Sequence, residues 1–311
     1  MICWPIDAEF AASPAVANRD LFAAHYADAP LETVVELYFG MPLPQAVVAV
    51  GQVFDLLASR GWTLAGRGLE IGAGIGVLSS LAIRRFTAID SIHALEVVPK
   101  VVEHLQPRVS HHLLGDAANR VVGVHGSFDD IHVAPGHFDF CIEYASLHHS
   151  RHLVGTLTEL SRVMKPGALL VAIDRAHPDG LSEAQKSYML GLRYSAEWKR
   201  RYGYPEAPLT RRENGESEIR VSEWQAAFHA AGFELLHRWE LRPRGWRPLR
   251  YKLALSLPYS LRKWLNLHPS RVRPQSGELG WLARSLSRAS SDPVYVASPK
   301  EHTVFVARRK T

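Results

Sequence analysis

The residues best suited to chemistry fall in three short stretches. The first, Leu69-Glu70-Ile71-Gly72-Ala73-Gly74-Ile75-Gly76-Val77-Leu78-Ser79, sets three glycines at alternate positions between an apolar run and a helical one. Glycine takes positive φ at little cost and, lacking a Cβ, lets a ligand lie against the backbone. The helix that follows presents unpaired N–H groups and the positive end of its dipole. Such a turn holds the polar end of a nucleotide-like cofactor. A dinucleotide fingerprint needs Gly-x-Gly-x-x-Gly, but the sixth position counted from Gly72 is Val77. Glu70, two residues before the first glycine, would repel a pyrophosphate and suits a ligand bearing an ammonium and a sulfonium.

The second stretch is Ile92-His93-Ala94-Leu95-Glu96-Val97-Val98, an apolar run closing on an acid. A carboxylate there can accept from both hydroxyls of a ribose, with Val97 and Val98 as an apolar wall for a base. The third is Glu143-Tyr144-Ala145-Ser146-Leu147-His148-His149. Imidazoles at the end of a buried strand suit proton removal near neutral pH, so His148 and His149 are the candidate bases, with His177 further on. His148, His149 and His152 lack an accompanying carboxylate set, and no metal site is expected.

These stretches need elements to carry them. Residues 68–175 alternate strand and helix. Strands are expected at 68–72, 92–98, 120–126, 138–144 and 168–174, and helices at Val77–Arg85, from Pro99 through Leu105, and at Leu153–Met164. Lys165-Pro166-Gly167 reads as a tight turn. That rhythm predicts an α/β fold with a doubly wound, mostly parallel sheet and ligands at the carboxyl ends of its strands. Residues 1–65 read as a helical cap, with helices starting near Asn18, at Leu31 and at Pro44; Tyr26 and Tyr38 lie within it. The aromatic, charged segment 176–220 reads as a substrate lid. A helix capped by Ser222, a strand from Phe233 to Leu241 and a last strand at Thr303–Arg308 complete the sheet.

At this point the chain resembles the Rossmann-like, class I S-adenosylmethionine-dependent methyltransferases of small-molecule type, whose first motif is an acid followed by Gly-x-Gly-x-Gly. The likeness recurs along residues 68–241 and in the last strand. Arg162-Val163-Met164-Lys165-Pro166-Gly167 is similar to the family's segment before strand five, and Leu147-His148-His149 to its common strand-four ending. The resemblance implies a seven-stranded sheet and S-adenosylmethionine as the methyl donor. It implies a cofactor site of Glu70, Gly72, Ala73, Gly74, Gly76, Glu96, Val97, Ser127, Phe128 and Glu143, with Glu96 on the ribose. Many relatives carry an aspartate directly after the glycine that ends strand three; here Ser127 follows Gly126, and the acids come at Asp129 and Asp130.

Composition sets the remaining bounds. With 311 residues, 47% apolar and 22% charged, the chain suffices for one large core plus a lid. Two widely spaced cysteines, no secretory leader pattern and no run of about 18 apolar residues point to the cytoplasm. The charge is uneven: from Arg238 onward there are 16 Lys/Arg against 4 Asp/Glu, within a total of +5. The organisation expected is a cap (1–65), a cofactor-binding core (66–175), a lid (176–220) and a C-terminal part (221–311). Within the last lies a basic amphipathic insertion at about 243–300, read as a membrane-surface contact, a homodimer face or packing on the core. The acceptor expected is a small molecule, a sugar or a lipid-linked intermediate. The alternative is a nucleic-acid (RNA) methyltransferase or RNA-binding protein using the basic segment. It is not favoured, because strand four ends Glu-Tyr-Ala-Ser and Cys141 lies inside that strand.

Overall fold

A computed structural model of the chain describes residues 1–243, 292–296 and 302–311. Most of the amphipathic insertion lies outside the described residues. So does the membrane, dimer or core contact assigned to it. Among the described residues, no single helix is long and apolar enough to cross a membrane.

Among the described residues, nine strands form one sheet. They are β1 (Ile2–Cys3), β2 (Gly66–Ile71), β3 (Ile89–Glu96), β4 (Val121–His125), β5 (Phe138–Tyr144), β6 (Met164–Asp174), β7 (Phe233–Pro243), β8 (Asp292–Val296) and β9 (His302–Arg309). Their order is β1-β4-β3-β2-β5-β6-β9-β7-β8, parallel throughout except where β9 runs antiparallel between β6 and β7. Seven strands were expected. The two additional strands sit at the two edges, where short runs pair with a backbone that would otherwise be exposed. The order reverses at β2, so the glycine turn opens at the switch point, where open α/β sheets bind ligands.

The period-two alternation of the buried strands sorts side chains between two cores. Phe140, Ile142, Val171 and Ile173 face helices α4 (Leu43–Ser59), α5 (Val77–Arg85) and α6 (Gln106–Leu114). Leu69, Ile71, Cys141, Leu170 and Ala172 face α7 (Leu153–Val163) and α10 (Val221–Ala230). The helix expected from Pro99 continues further than the sequence suggested, as a π turn at Val101–Leu105 leading into α6. The Lys165-Pro166-Gly167 turn is absorbed into β6 as an irregularity: Phe138 pairs with Met164, Phe140 with Leu169, and Gly167 takes φ +80°.

The cap is α1 (Ala8–Ala11), α2 (Pro14–His25), α3 (Leu31–Phe39) and α4. Asn18, expected to open a helix, is instead buried within α2, which Pro14 opens one turn earlier. In α10 the expected cap also moves. Arg220 precedes the helix, the Glu223 carboxylate accepts from its N–H at 2.7 Å, and the Ser222 N–H donates to Asp179 at 2.8 Å. The 176–220 segment folds into α8 (Glu183–Gly191) and α9 (Ala196–Arg201). It meets the cap where the Tyr26 hydroxyl donates to the Arg201 carbonyl at 2.5 Å and the rings of Phe22 and Tyr202 lie 5.6 Å apart.

The centre of the sheet tolerates little change. A Cβ on Gly68 would lie 2.1 Å from the Phe140 ring. Gly68→Ala is therefore expected to lower stability by about 1–3 kcal/mol, read as a lower urea midpoint at unchanged m value.

Candidate functional site

The turn after β2 has the backbone its glycines foretell: Gly72, Gly74 and Gly76 take φ of +56°, +49° and +78°. Ala73 N–H donates to Leu95 O at 2.9 Å, tying the turn to β3. A Cβ on Gly72 would fall 2.3 Å from Ser146 Cβ, so this residue must lack one for the ends of β2 and β5 to meet. Gln106 of α6 supports the turn from below, donating its amide to Gly74 O at 2.9 Å. Sequence reasoning missed Gln106, because nothing in its spacing ties it to the glycines.

Glu96 faces this turn as expected. Its Oε2 accepts from Gly74 N at 2.9 Å, and its Oε1 from Val97 N at 2.9 Å and Val98 N at 3.1 Å. Burial raises its pKa, against the Arg19 charge and these three N–H bonds. Val97 is half-buried against the core. Ser127 is buried, with its Oγ accepting from Asp129 N at 3.1 Å, and Phe128 packs half-buried beside it. The nearby acids are turned elsewhere: Asp129 holds the Thr156 hydroxyl and Arg151, and Asp130 holds His132 at 3.1 Å. That leaves Ser127 and Phe128 as the side chains at this end.

Glu70 is held by the helix that follows the turn. Its Oε2 accepts from Ser79 N at 2.8 Å and from the Ser79 hydroxyl, beneath the turn. It caps the third residue of α5, which begins at Gly76 without a capping side chain of its own. The acid therefore shapes the turn, and no contact places it on the ligand face. Burial pushes its pKa up to about 8.

At the end of β5, Ala145 is the one described non-glycine residue at positive φ (+52°), held by its N–H to Ile173 O at 2.8 Å. Such a conformation costs energy and clusters at functional sites. Glu143 is fully buried. Its Oε2 accepts from Ser146 N at 3.0 Å, while its Oε1 has no partner among the described residues. Burial and neighbouring Asp174 hold its pKa well up, against the hydrogen bonds from Ser146 and Leu147. Asp174, the last residue of β6, is shifted the opposite way. Burial opposes its ionisation, but His148 and Arg175 hold its pKa down.

Asp174 positions His148 on both sides. Oδ2 accepts from His148 N at 2.9 Å, and Oδ1 lies 2.6 Å from Nδ1. Nδ1 thus donates to Asp174, and Nε2 faces away from it, 3.7 Å from Glu216 Oε2. His149 is engaged on both nitrogens: Nδ1 donates to Gly215 O at 2.8 Å, and Nε2 accepts from Arg19 Nη2 at 3.2 Å. Burial, His148 and Arg19 keep its pKa well below the usual imidazole range, so it remains neutral. The two expected bases are thus separated, and only His148 has the poise of a proton acceptor. His177 is paired with Glu218, and His152 caps α7 by accepting from Gly155 N at 2.9 Å.

The lid supplies charges that no motif announced. Arg175 bonds to Glu216, Arg211 lies 3.5 Å from Glu216 and also bonds to Glu218, and Tyr194 donates to Glu216 Oε1 at 3.1 Å. Ligand atoms of His148, His149 and Glu216 lie within 4.8 Å of one another, a spacing compatible with a metal ion. Glu216, however, already has two guanidinium partners, which hold its pKa far down. A carboxylate so matched is suited to steadying a protonated His148 and poorly suited to a divalent cation.

Comparison with known proteins agrees with this geometry. Residues 69–172 match the family model described as a methyltransferase domain. No curated protein matches the chain by sequence. A solved structure from Galdieria sulphuraria, assigned as a sarcosine dimethylglycine methyltransferase, superposes with a TM-score of 0.51 at 17% identity over 84% of this chain and 85% of its own. One from Bacillus halodurans C-125, assigned as a methyltransferase, gives 0.52 at 15% identity over 84% and 99%. The Haemonchus contortus phosphoethanolamine N-methyltransferase 2, in complex with phosphomonomethylethanolamine and S-adenosylhomocysteine, gives 0.52 at 17% identity, over 94% of this chain and 60% of its own. At these identities the likeness is one of fold.

The buried acid beneath the turn has a measurable signature. Glu70 titrates near 4.5 when unfolded and near 8 when folded. The folded state therefore binds the extra proton between those values. Its contribution to stability is complete below pH 4.5 and is lost as pH rises toward 8. Glu70→Gln is expected to flatten the pH dependence of unfolding between pH 5 and 8 by up to about 1.4 kcal/mol per pH unit, measured by urea titration at each pH.

Proposed function

We propose that this chain is an S-adenosylmethionine-dependent methyltransferase acting on a small-molecule acceptor, such as a sugar or a lipid-linked intermediate, seated between cap and lid; residues 69–172 match the methyltransferase domain model. The observation that carries this reading is the His148–Asp174 pair, set at the strand ends beside the glycine turn and beneath residues 176–220.

The residues at the turn fit the donor. Three positive-φ glycines leave a cradle free of side chains, and Glu96 supplies lone pairs for ribose hydroxyls. Ser127 and Phe128 would flank the adenine, and the buried Glu143 lies below the methionine end. S-adenosylmethionine supplies an activated methyl group on a positively charged sulfur. The protein's part is then chiefly to hold donor and nucleophile in line, where effective molarities reach ~10⁵ M or more.

A hydroxyl acceptor must also lose a proton as its bond to the methyl group forms, and an ammonium acceptor must lose one beforehand. His148 Nε2 receives it, while Asp174 fixes the tautomer and Glu216, 3.7 Å away, offsets the new positive charge. The Haemonchus structure, which holds phosphomonomethylethanolamine, supports an acceptor of small size.

Calorimetric titration against S-adenosylmethionine, S-adenosylhomocysteine and the nicotinamide dinucleotides tests the cofactor. Binding of the first two and not the last is expected, and the reverse would sink the assignment. With the best acceptor from a panel of hydroxylated small molecules, His148→Ala is expected to lower kcat by about 10²–10⁴-fold. Asp174→Asn should act in the same direction, with S-adenosylhomocysteine affinity nearly unchanged in both. Full activity in His148→Ala would remove His148 from the chemistry.

A further inference from the structure

Arg19 stands in the cleft, half-buried on α2, with no acid within ion-pair distance among the described residues. Arg175, directly after β6, and Arg211 of the lid differ, since they are matched by Glu216 and Glu218. The Arg19 guanidinium donates to Ala15 O at 2.5 Å and to His149 Nε2 at 3.2 Å. Of its five N–H donors, three are left without a partner among the described residues.

Tyr38 of α3 shares this space. Its hydroxyl is buried and has no partner among the described residues. Its ring packs 4.7 Å from Phe22 on α2, and its Cδ1 lies 3.6 Å from where a Cβ on Gly74 would be. Arg19 lies one turn before Phe22 on α2, so the helix that carries the guanidinium is the one packed against the Tyr38 ring. His149 lies beside His148, with ring centroids 4.0 Å apart, and reaches the lid at Gly215. A planar cationic fork on α2 and a buried hydroxyl on the adjoining α3 thus lie between the glycine turn and the histidine pair.

We propose that Arg19 and Tyr38 form an oxyanion site and that the acceptor carries the group it holds, a carboxylate or a phosphate. This deepens the methyl-transfer reading and rests on it. Two N–H groups of one guanidinium match two oxygens of either anion, and the tyrosine hydroxyl donates to one of them. Because Arg19 is hydrogen-bonded to the imidazole adjoining the base, an anion held there tethers the acceptor with its nucleophile near His148. The methionine tail of the donor also carries a carboxylate, so the test separates the two sources.

Wild type, Arg19→Met and Tyr38→Phe are titrated calorimetrically with S-adenosylhomocysteine and with methylthioadenosine, which lacks the amino-acid tail. Each protein, saturated with S-adenosylhomocysteine, is then titrated with inorganic phosphate, benzoate and the neutral isostere benzamide. Expected are S-adenosylhomocysteine affinities within about threefold of wild type, and benzoate bound at least about tenfold tighter than benzamide by wild type. Arg19→Met abolishes that preference and phosphate binding, and Tyr38→Phe narrows both, so the second variant serves if the first melts early by circular dichroism. Arg19→Met weakening S-adenosylhomocysteine tenfold or more, with methylthioadenosine unaffected, gives the oxyanion to the donor and overturns the acceptor assignment. An unchanged benzoate preference in both variants overturns the site itself. Failure of wild type to bind S-adenosylhomocysteine defeats the methyl-transfer reading, a different result from either.

Discussion

The site depends on how closely the ends of two neighbouring strands approach. Ser146 Cβ occupies the space a side chain on Gly72 would need, and its hydroxyl lies 2.9 Å from Ile71 O. That contact joins the glycine turn after β2 to the turn after β5. Donor cradle and candidate base therefore share one rigid edge. Both strands are central and buried on two faces, so neither turn can shift without disturbing both cores. The positive φ of Ala145 is held by the same arrangement, through its bond to β6.

Four buried acids lie along that edge, and their environments give them four tasks. Glu70 is pressed beneath the turn and caps α5. Glu96 gathers three backbone N–H groups and faces the cradle. Glu143 is buried beside a carboxylate neighbour, with one oxygen lacking a partner among the described residues, and its pKa is raised. Asp174 is ionised because an imidazole and an arginine face it. Two adjacent carboxylates with pKa values pushed apart mark a site where protons are managed. Here the ionised member is the one that orients His148.

The cap and lid extend this edge outward. The lid brings Glu216, Arg211 and Tyr194 to the far side of His148, and the cap brings Arg19 and Tyr38 over the turn. Aromatic contacts hold the two together: Tyr194, Trp198 and Tyr202 stack in series, and Tyr202 meets Phe22 of the cap.

The alternating sheet, the glycine turn, α5 and the position of Glu96 were all legible in the sequence. Each is a local matter: period-two runs, three glycines that permit positive φ, and an acid closing an apolar strand. Local pattern failed where a distant chain segment satisfied a polar group. Ser222 resembled a cap, but Asp179 and Glu223 had already taken the N–H groups there. Glu70 resembled a ligand for a cation until Ser79 was seen to take its carboxylate. Asp174, Gln106, Arg19 and Glu216 carry no spacing signal, because each acts across a separation that only folding closes, 26 residues for Asp174 and His148 and 130 for Arg19 and His149. The amino-acid order alone thus determined the scaffold and the cradle, through rules that act within a strand or a turn. Tertiary structure decided which histidine holds a lone pair and which acid is charged, because burial and long-range partners set protonation.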